Sequence, residues 1–313
     1  AQNSLMTVSA SASMPMISNT TSLGLGTAQF GLDYGISNRW GHCPKSEAIE
    51  ILDQAAAANI RIIDTAVEYG KSEAVIGHCL ERGHSFRIVT KTGRLSSTAG
   101  GSVGVEAIVA RFEQSLSRLR QKAIYGLLIH HFDEIPKPSR NHFFDAIQII
   151  KDRGQIQKVG VSVYDARQID EILDRHSIDL IQVPVSLLDQ RLVQSGHVQE
   201  LKSRGIEVHA RSVLLQGLMM MPLKSVPSYF EPILGLLSRL REELSQAGLS
   251  PLVAALGFVR DVAEVDCALI GVHRRNELME VVDAWRAPAI TKLDFATYAV
   301  TAENFIDPRR WRL

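Results

Sequence analysis

The amino-acid sequence predicts a single α/β domain of the (β/α)8 type, a TIM barrel over residues 21–313, and three observations lead there. From Leu23 onward, short β-branched runs alternate with longer amphipathic stretches, the mark of parallel β/α units. Eight such runs can be counted, and a chain of 313 residues lies within the size range of a one-domain barrel. A doubly wound open sheet would carry a glycine-rich turn after its first strand, and none follows Leu23–Thr27.

The eight runs are Leu23–Thr27, Arg61–Asp64, Arg87–Lys91, Tyr125–His130, Lys158–Val163, Leu180–Val183, Glu207–Arg211 and Ala268–Val272. Between them Lys45–Ala58, Glu106–Arg120, Phe143–Arg153 and Ala166–Arg175 space apolar residues three and four apart, as helices with one face on a sheet do. Lys202-Ser203-Arg204-Gly205 ends a further helix on basic residues and then glycine, which suits the helix dipole and a left-handed cap. Leu218–Leu249 contains Pro222, Pro227 and Pro232, so an irregular excursion followed by helix is expected there, placed to cover a substrate.

Composition narrows the function classes. Lysine plus arginine equals aspartate plus glutamate at 34 each, so no global field favours nucleic acid or an anionic membrane. No stretch reaches the roughly twenty apolar residues of a membrane span. Residues 1–20 are rich in serine, alanine and methionine without the charged start and apolar run of a secretory leader, and are expected to be a flexible N-terminal segment. Cys43, Cys79 and Cys267 lie far apart, which argues against a disulfide framework and for a cytoplasmic protein. The expected partner is a small molecule.

Catalytic groups of a parallel barrel stand at the carboxyl ends of its strands. Asp64 ends the second run, Tyr69 follows it by five residues, Lys91 ends the third and His130 the fourth. Singly each has a plain structural alternative: a helix cap, interior packing, a snorkelling lysine, a satisfied core histidine. Together they make chemical sense. A phenol with a reference pKa near ~10 must give up its proton to act as a general acid. The Lys91 ammonium would favour the phenolate, Asp64 would hold that ammonium charged, and His130 would orient a carbonyl whose oxygen gains negative charge. His131 follows His130 directly, and adjacent strand residues point to opposite faces, so at most one of the pair is expected in the site, His130 being the better placed. Neither that pair, His42-Cys43 nor His78-Cys79 has metal-ligand spacing, and no metal is expected. Gly70-Lys71-Ser72 resembles the end of a phosphate-binding loop, but Thr65 stands where its first glycine is needed.

Asp64-Thr65-Ala66-Val67-Glu68-Tyr69-Gly70, with Val89-Thr90-Lys91 and Leu127-Leu128-Ile129-His130, resembles the aldo-keto reductases. The resemblance extends over nearly the whole barrel, through Gly26-Thr27-Ala28, Gly160-Val161-Ser162, Gln182, Ala210-Arg211-Ser212 and Gln216-Gly217. It implies a nicotinamide cofactor, usually NADPH with NADH open, and a small carbonyl substrate. Carried over by position, Ser162 and Gln182 would bond the nicotinamide carboxamide, Asp64 and Thr27 would line its pocket, and Ser212, Leu214, Gln216 and Gly217 would contact the pyrophosphate. Gly271, Val272, Arg274 and Arg275 would approach the adenosine phosphate, for which a guanidinium fork is suited. A solvated arginine pair is the alternative.

Four positions depart from the family pattern. Val163 stands where many members have asparagine, and Arg211 where many stack an aromatic ring, although a guanidinium also stacks. His273 and Val281 stand where many carry arginine and asparagine for adenosine recognition, which opens the choice between NADPH and NADH. The stretch from Gly26 to Ile36 resembles members linked to bacterial surface-sugar pathways, implying a polar aldehyde or keto-sugar with Tyr34, Trp40 and His130 as contacts, Trp40 having packing as its alternative. Two rival functions stand beside reduction: a Schiff-base aldolase or isomerase using Lys91, and a regulatory protein that binds nicotinamide nucleotide without turnover.

Overall fold

The computed structural model describes residues 21–94 and 104–312, so the expected flexible segment 1–20 lies outside the described residues. Eight parallel strands, β1 (Ser22–Gly26), β2 (Ile62–Asp64), β3 (Arg87–Lys91), β4 (Ile124–Ile129), β5 (Ile156–Ser162), β6 (Leu180–Pro184), β7 (Glu207–Arg211) and β8 (Cys267–Gly271), pair in chain order and close into a barrel. Closure runs from Ser22 opposite Cys267 to Gly26 opposite Gly271.

Helices α1 (Lys45–Ala57), α2 (Ser72–Cys79), α3 (Val105–Leu119), α4 (Lys137–Asp152) and α5 (Ala166–Arg175) follow the first five strands. Each turns an apolar stripe inward. On α3 the buried set is Ile108, Val109, Phe112, Leu116 and Leu119, the three-and-four spacing that one helical face requires. α5 starts on a capping box in which the Asp165 carboxylate accepts from the Gln168 N–H while the Gln168 side chain accepts from the Asp165 N–H, satisfying two end donors at once. After these come α6 (Arg191–Gln194), α7 (His197–Ser203), α8 (Glu231–Gln246), α9 (Pro251–Arg260), α10 (Arg275–Trp285) and α11 (Glu303–Ile306).

The excursion after β7 forms short 3-10 turns behind Pro222 and Pro227 and then α8, with Pro232 in its first turn. Its Leu218, Met219, Phe230, Leu237 and Leu240 join Tyr298 and Ile306 in a second core beside the barrel. The expectation that it covers the substrate is corrected accordingly: among its described residues only Met220 lines the central cavity, because its apolar side chains are spent on that satellite core. None of the described helices is long and apolar enough to cross a membrane.

Candidate active site

The pairing register fixes which polar groups meet. Asp64 sits opposite Val89 on β3, Ser162 opposite Gln182 and Pro184 opposite Arg211, so the last residues of several strands reach one mouth of the barrel. Two close backbone approaches hold the β1 and β2 loops together there. Gly70 has φ +55° and Gly31 packs against the Tyr69 carbonyl with no room for a side chain.

Lys91 is 1% exposed, yet its ammonium is fully satisfied. Nζ donates to Asp64 Oδ2 at 2.6 Å, to the Thr65 carbonyl at 2.9 Å and to the Tyr69 hydroxyl at 3.4 Å. Burial pulls the Lys91 pKa down, and the Asp64 carboxylate opposes that pull. The second oxygen of Asp64 accepts from Gln182 Nε2, and the Asp64 carbonyl accepts from Thr27 Oγ1 at 2.8 Å. Thr27 is itself held by the hydroxyl of Ser72 at 2.9 Å. Losing one partner from such a buried pair leaves an uncompensated charge, at a cost of about 3–5 kcal/mol.

The Tyr69 phenol is pushed far up, first by burial and then by the Asp64 charge. This corrects the expectation that a neighbouring ammonium makes the phenolate easy: removal from water outweighs the ion pair, which is already spent on Asp64. The phenol therefore stays protonated and has a proton to give. His130 stands one residue beyond β4, its N–H on Thr92 Oγ1 at 3.3 Å and its ring edge-on to Tyr69, centroids 5.9 Å apart. Burial, then the Lys91 charge, pulls its pKa well below the histidine range. The imidazole is neutral, and its buried Nδ1 has no partner.

Of the adjacent pair, His130 lines the cavity and His131 is not among its lining residues. Because β4 stops at Ile129, the alternation of a strand does not extend to it, and its ring stacks on that of His130. Its Nε2 bonds Glu68 Oε2 at 2.7 Å, and Glu68 also accepts from the backbone and guanidinium of Arg94. Glu68, His130 and His131 bring ligand-type atoms within 4.8 Å of one another, and two of the three residues, Glu68 and His131, are already hydrogen-bonded to each other. The cluster suits a hydrogen-bonded network.

A cavity of about 670 Å³ opens over these groups. Thr27, Tyr34, Asp64, Tyr69, Lys91 and His130 line it. So do Ser162, Gln182, Arg211, Ser212, Leu214, Gln216, Gly217, Gly271 and Val272. Burial pushes the Tyr34 phenol up to about 12. Three residues named from sequence lie elsewhere. Trp40 is 63% exposed and outside the cavity lining, with the Arg274 guanidinium 4.2 Å from its ring centre. Arg275 begins α10, its backbone N–H on Glu47. Lining residues that the motifs do not reveal are Tyr164, clamped between the guanidinia of Arg211 and Arg309 at 4.0 and 3.2 Å, with Glu277 and Glu280. Tyr164 follows Ser162 in the loop after a strand end, a signal available in sequence; Arg309 comes from a C-terminal stretch with no periodic pattern.

The cavity fits an elongated polar cofactor. Gln182 Oε1 and Arg211 Nε are buried without partners, an acceptor and a donor waiting for a carboxamide and an anion. The loop after β7 holds Ser212, Leu215 and Gln216 at φ 59°, 47° and 52°, strain of about 1–3 kcal/mol each that clusters at ligand clamps.

A carboxylate, ammonium, phenol and imidazole buried at the carboxyl mouth define a (β/α)8 protein with a polar site at its central cavity. Residues 22–300 match the aldo/keto reductase family, and the chain belongs to it. It is similar to an NADH-specific methylglyoxal reductase of Escherichia coli, 27% identical over 63% of this chain and 64% of that protein. It is also similar to the aldo-keto reductase YhdN of Bacillus subtilis, 27% identical over 55% of this chain and 52% of that one. The matches thus span between half and two thirds of these relatives' lengths. Among solved structures, the aldo-keto reductase AKR11C1 of Bacillus halodurans superposes with a TM-score of 0.72 over 93% of this chain and 95% of that one at 22% identity. The glycerol dehydrogenase AKR11B4 of Gluconobacter oxydans gives 0.67 over 86% and 87%, also at 22% identity; these two likenesses carry the fold.

Proposed function

We propose that the chain is an NAD(P)H-dependent carbonyl reductase, and one observation carries this reading: the buried chain Asp64–Lys91–Tyr69 beside a neutral His130. A nicotinamide dinucleotide, when bound, supplies the hydride. Tyr69 gives its proton to the carbonyl oxygen as negative charge develops there, and His130 donates a hydrogen bond to the same oxygen. Lys91 stabilises the phenolate that remains, and Asp64 keeps the ammonium in place. Ser162 and Gln182 would hold the carboxamide, and the strained loop Ser212–Gly217 the pyrophosphate.

The Schiff-base reading is disfavoured by the same geometry. Lys91 Nζ points at a carboxylate, a carbonyl and a hydroxyl oxygen, so its three protons are used and no lone pair faces the cavity. The substrate is a small carbonyl compound, sugar-like by the β1 loop, and the working compartment is the cytoplasm. The test is fluorescence titration of the purified chain with NADH and NADPH, followed by nucleotide oxidation against aldehydes and keto-sugars. Turnover of at least one carbonyl establishes the reading; nucleotide binding without turnover across the panel points to the regulatory alternative, and no binding of either nucleotide overturns it.

A further inference from the structure

We infer that the end of the cavity remote from Tyr69 selects the dinucleotide lacking a 2′-phosphate, NADH, with Glu277 and Glu280 as its specificity-determining residues. This rests on the reductase reading. The cavity lining extends beyond Asp64 and Gln182 to Ser250, Pro251, Leu252, His273, Glu277 and Glu280, and the reductase reading places the adenosine among these six. Both formal charges among those six are negative.

Neither arginine at the start of α10 lines this part of the cavity. Arg274 lies over Trp40. His273 has Nε2 3.1 Å from the Tyr34 carbonyl, a contact that needs a proton on that nitrogen, while Nδ1 faces Glu277 Oε2 at 3.7 Å. Glu277 keeps its charge: burial opposes ionisation, but hydrogen bonds from the backbone N–H groups of His273 and Arg274 help hold the carboxyl below the usual carboxylate range. Its Oε2 accepts the His273 backbone N–H at 2.7 Å.

Carboxylates accept hydrogen bonds from the vicinal hydroxyls of a ribose, whereas a 2′-phosphate carrying close to two negative charges needs a cation in that place. Two carboxylates facing the phosphate repel it, and the penalty is Coulombic and shrinks with salt.

The experiment is isothermal titration of the full chain with each nucleotide at low and high ionic strength, a binding readout that needs no substrate. NADH is expected to bind at least about tenfold tighter than NADPH, with the ratio narrowing in high salt. The double variant Glu277→Gln, Glu280→Gln should bring the two affinities together, mainly by tightening NADPH; Glu280→Gln alone, on an exposed side chain, gives a partial effect without risk to folding. NADPH binding as tight as NADH in the unaltered chain overturns the inference and leaves the reductase reading standing. An unchanged ratio in the double variant removes the role given to the glutamates. Failure to bind either nucleotide overturns the reductase reading and this inference with it.

Discussion

His131 lies ring on ring with His130, centroids 4.1 Å apart and planes 28° from parallel, and Glu68 anchors it from the other side. His130 has no side-chain hydrogen bond on Nδ1, so packing between His131 and the edge of Tyr69 fixes its plane. Removing His131 should loosen that plane without removing the donor. His131→Ala is expected to lower kcat by about tenfold or less, with His130→Ala costing the roughly hundredfold typical of a lost transition-state donor. Steady-state kinetics of both variants on one carbonyl decide it, and equal losses would make His131 the substrate-facing ring.

Tyr69→Phe removes the proton donor and leaves the ring. Turnover should fall by at least about a hundredfold, while NADH affinity by titration stays within about twofold, since only the hydroxyl is lost. Undiminished turnover would remove Tyr69 from the chemistry. Because burial raises the Tyr69 pKa, the phenol remains protonated through neutral pH, so carbonyl reduction should be flat there. The reverse oxidation, which needs the phenolate, should climb as pH rises.

The barrel was legible because its strands are short β-branched runs, and β3 and β7 have the very bounds the sequence suggests. β5 begins at Ile156, two residues before the expected start, because Ile156 and Gln157 are apolar and polar in an order that either a loop or a strand accepts. The sequence reading did not name α9 as a helix: Pro251–Arg260 is apolar nearly all round, burying Ala254, Ala255, Leu256, Gly257 and Val259, so it has no polar face to set a period. At the site, Asp64, Tyr69, Lys91 and His130 could be read because strand ends converge. Tyr164 between two arginines and the place of Arg274 over Trp40 could not, since they depend on loop paths that no periodicity encodes.

Lys91→Met tests the buried pair without any substrate. It strands the Asp64 carboxylate with Gln182 as its remaining side-chain partner, so unfolding stability should drop by about 3–5 kcal/mol. Adding Asp64→Asn should recover part of that loss by removing the orphaned charge. Denaturant midpoints of the single and double variants give the answer; a double variant less stable than Lys91→Met would mean that Asp64 is held mainly by its hydrogen bonds.

Gly217 tests the clamp. It has φ +93°, and a side chain there would run into the Ser37 hydroxyl, while the Ile36 N–H bonds the neighbouring Gln216 carbonyl at 3.1 Å. The β1 and β7 loops thus meet over the cavity. Gly217→Ala should push them apart and weaken nucleotide binding by about tenfold, given the steric and left-handed penalties together. Ser37→Ala in that background removes the clash with the hydroxyl but leaves Ser37 Cβ 2.7 Å from the new side chain and the backbone strain in place, so affinity should return only in part. Complete recovery would place the whole effect on the Ser37 contact.

His130 should also appear in the pH dependence of stability. Its folded pKa is depressed by burial, so above the unfolded value near ~6.5 both states are neutral and it contributes nothing to the slope. As pH falls below that value the unfolded chain takes up a proton that the folded chain refuses. The folded state then loses about 1.4 kcal/mol per pH unit from this one group. Melting curves between about pH 7 and pH 5 should therefore fall more steeply for the unaltered chain than for His130→Gln, which cannot take up that proton in either state. Parallel curves would mean that His130 protonates in place, and the neutral imidazole assigned to the carbonyl would have to be given up.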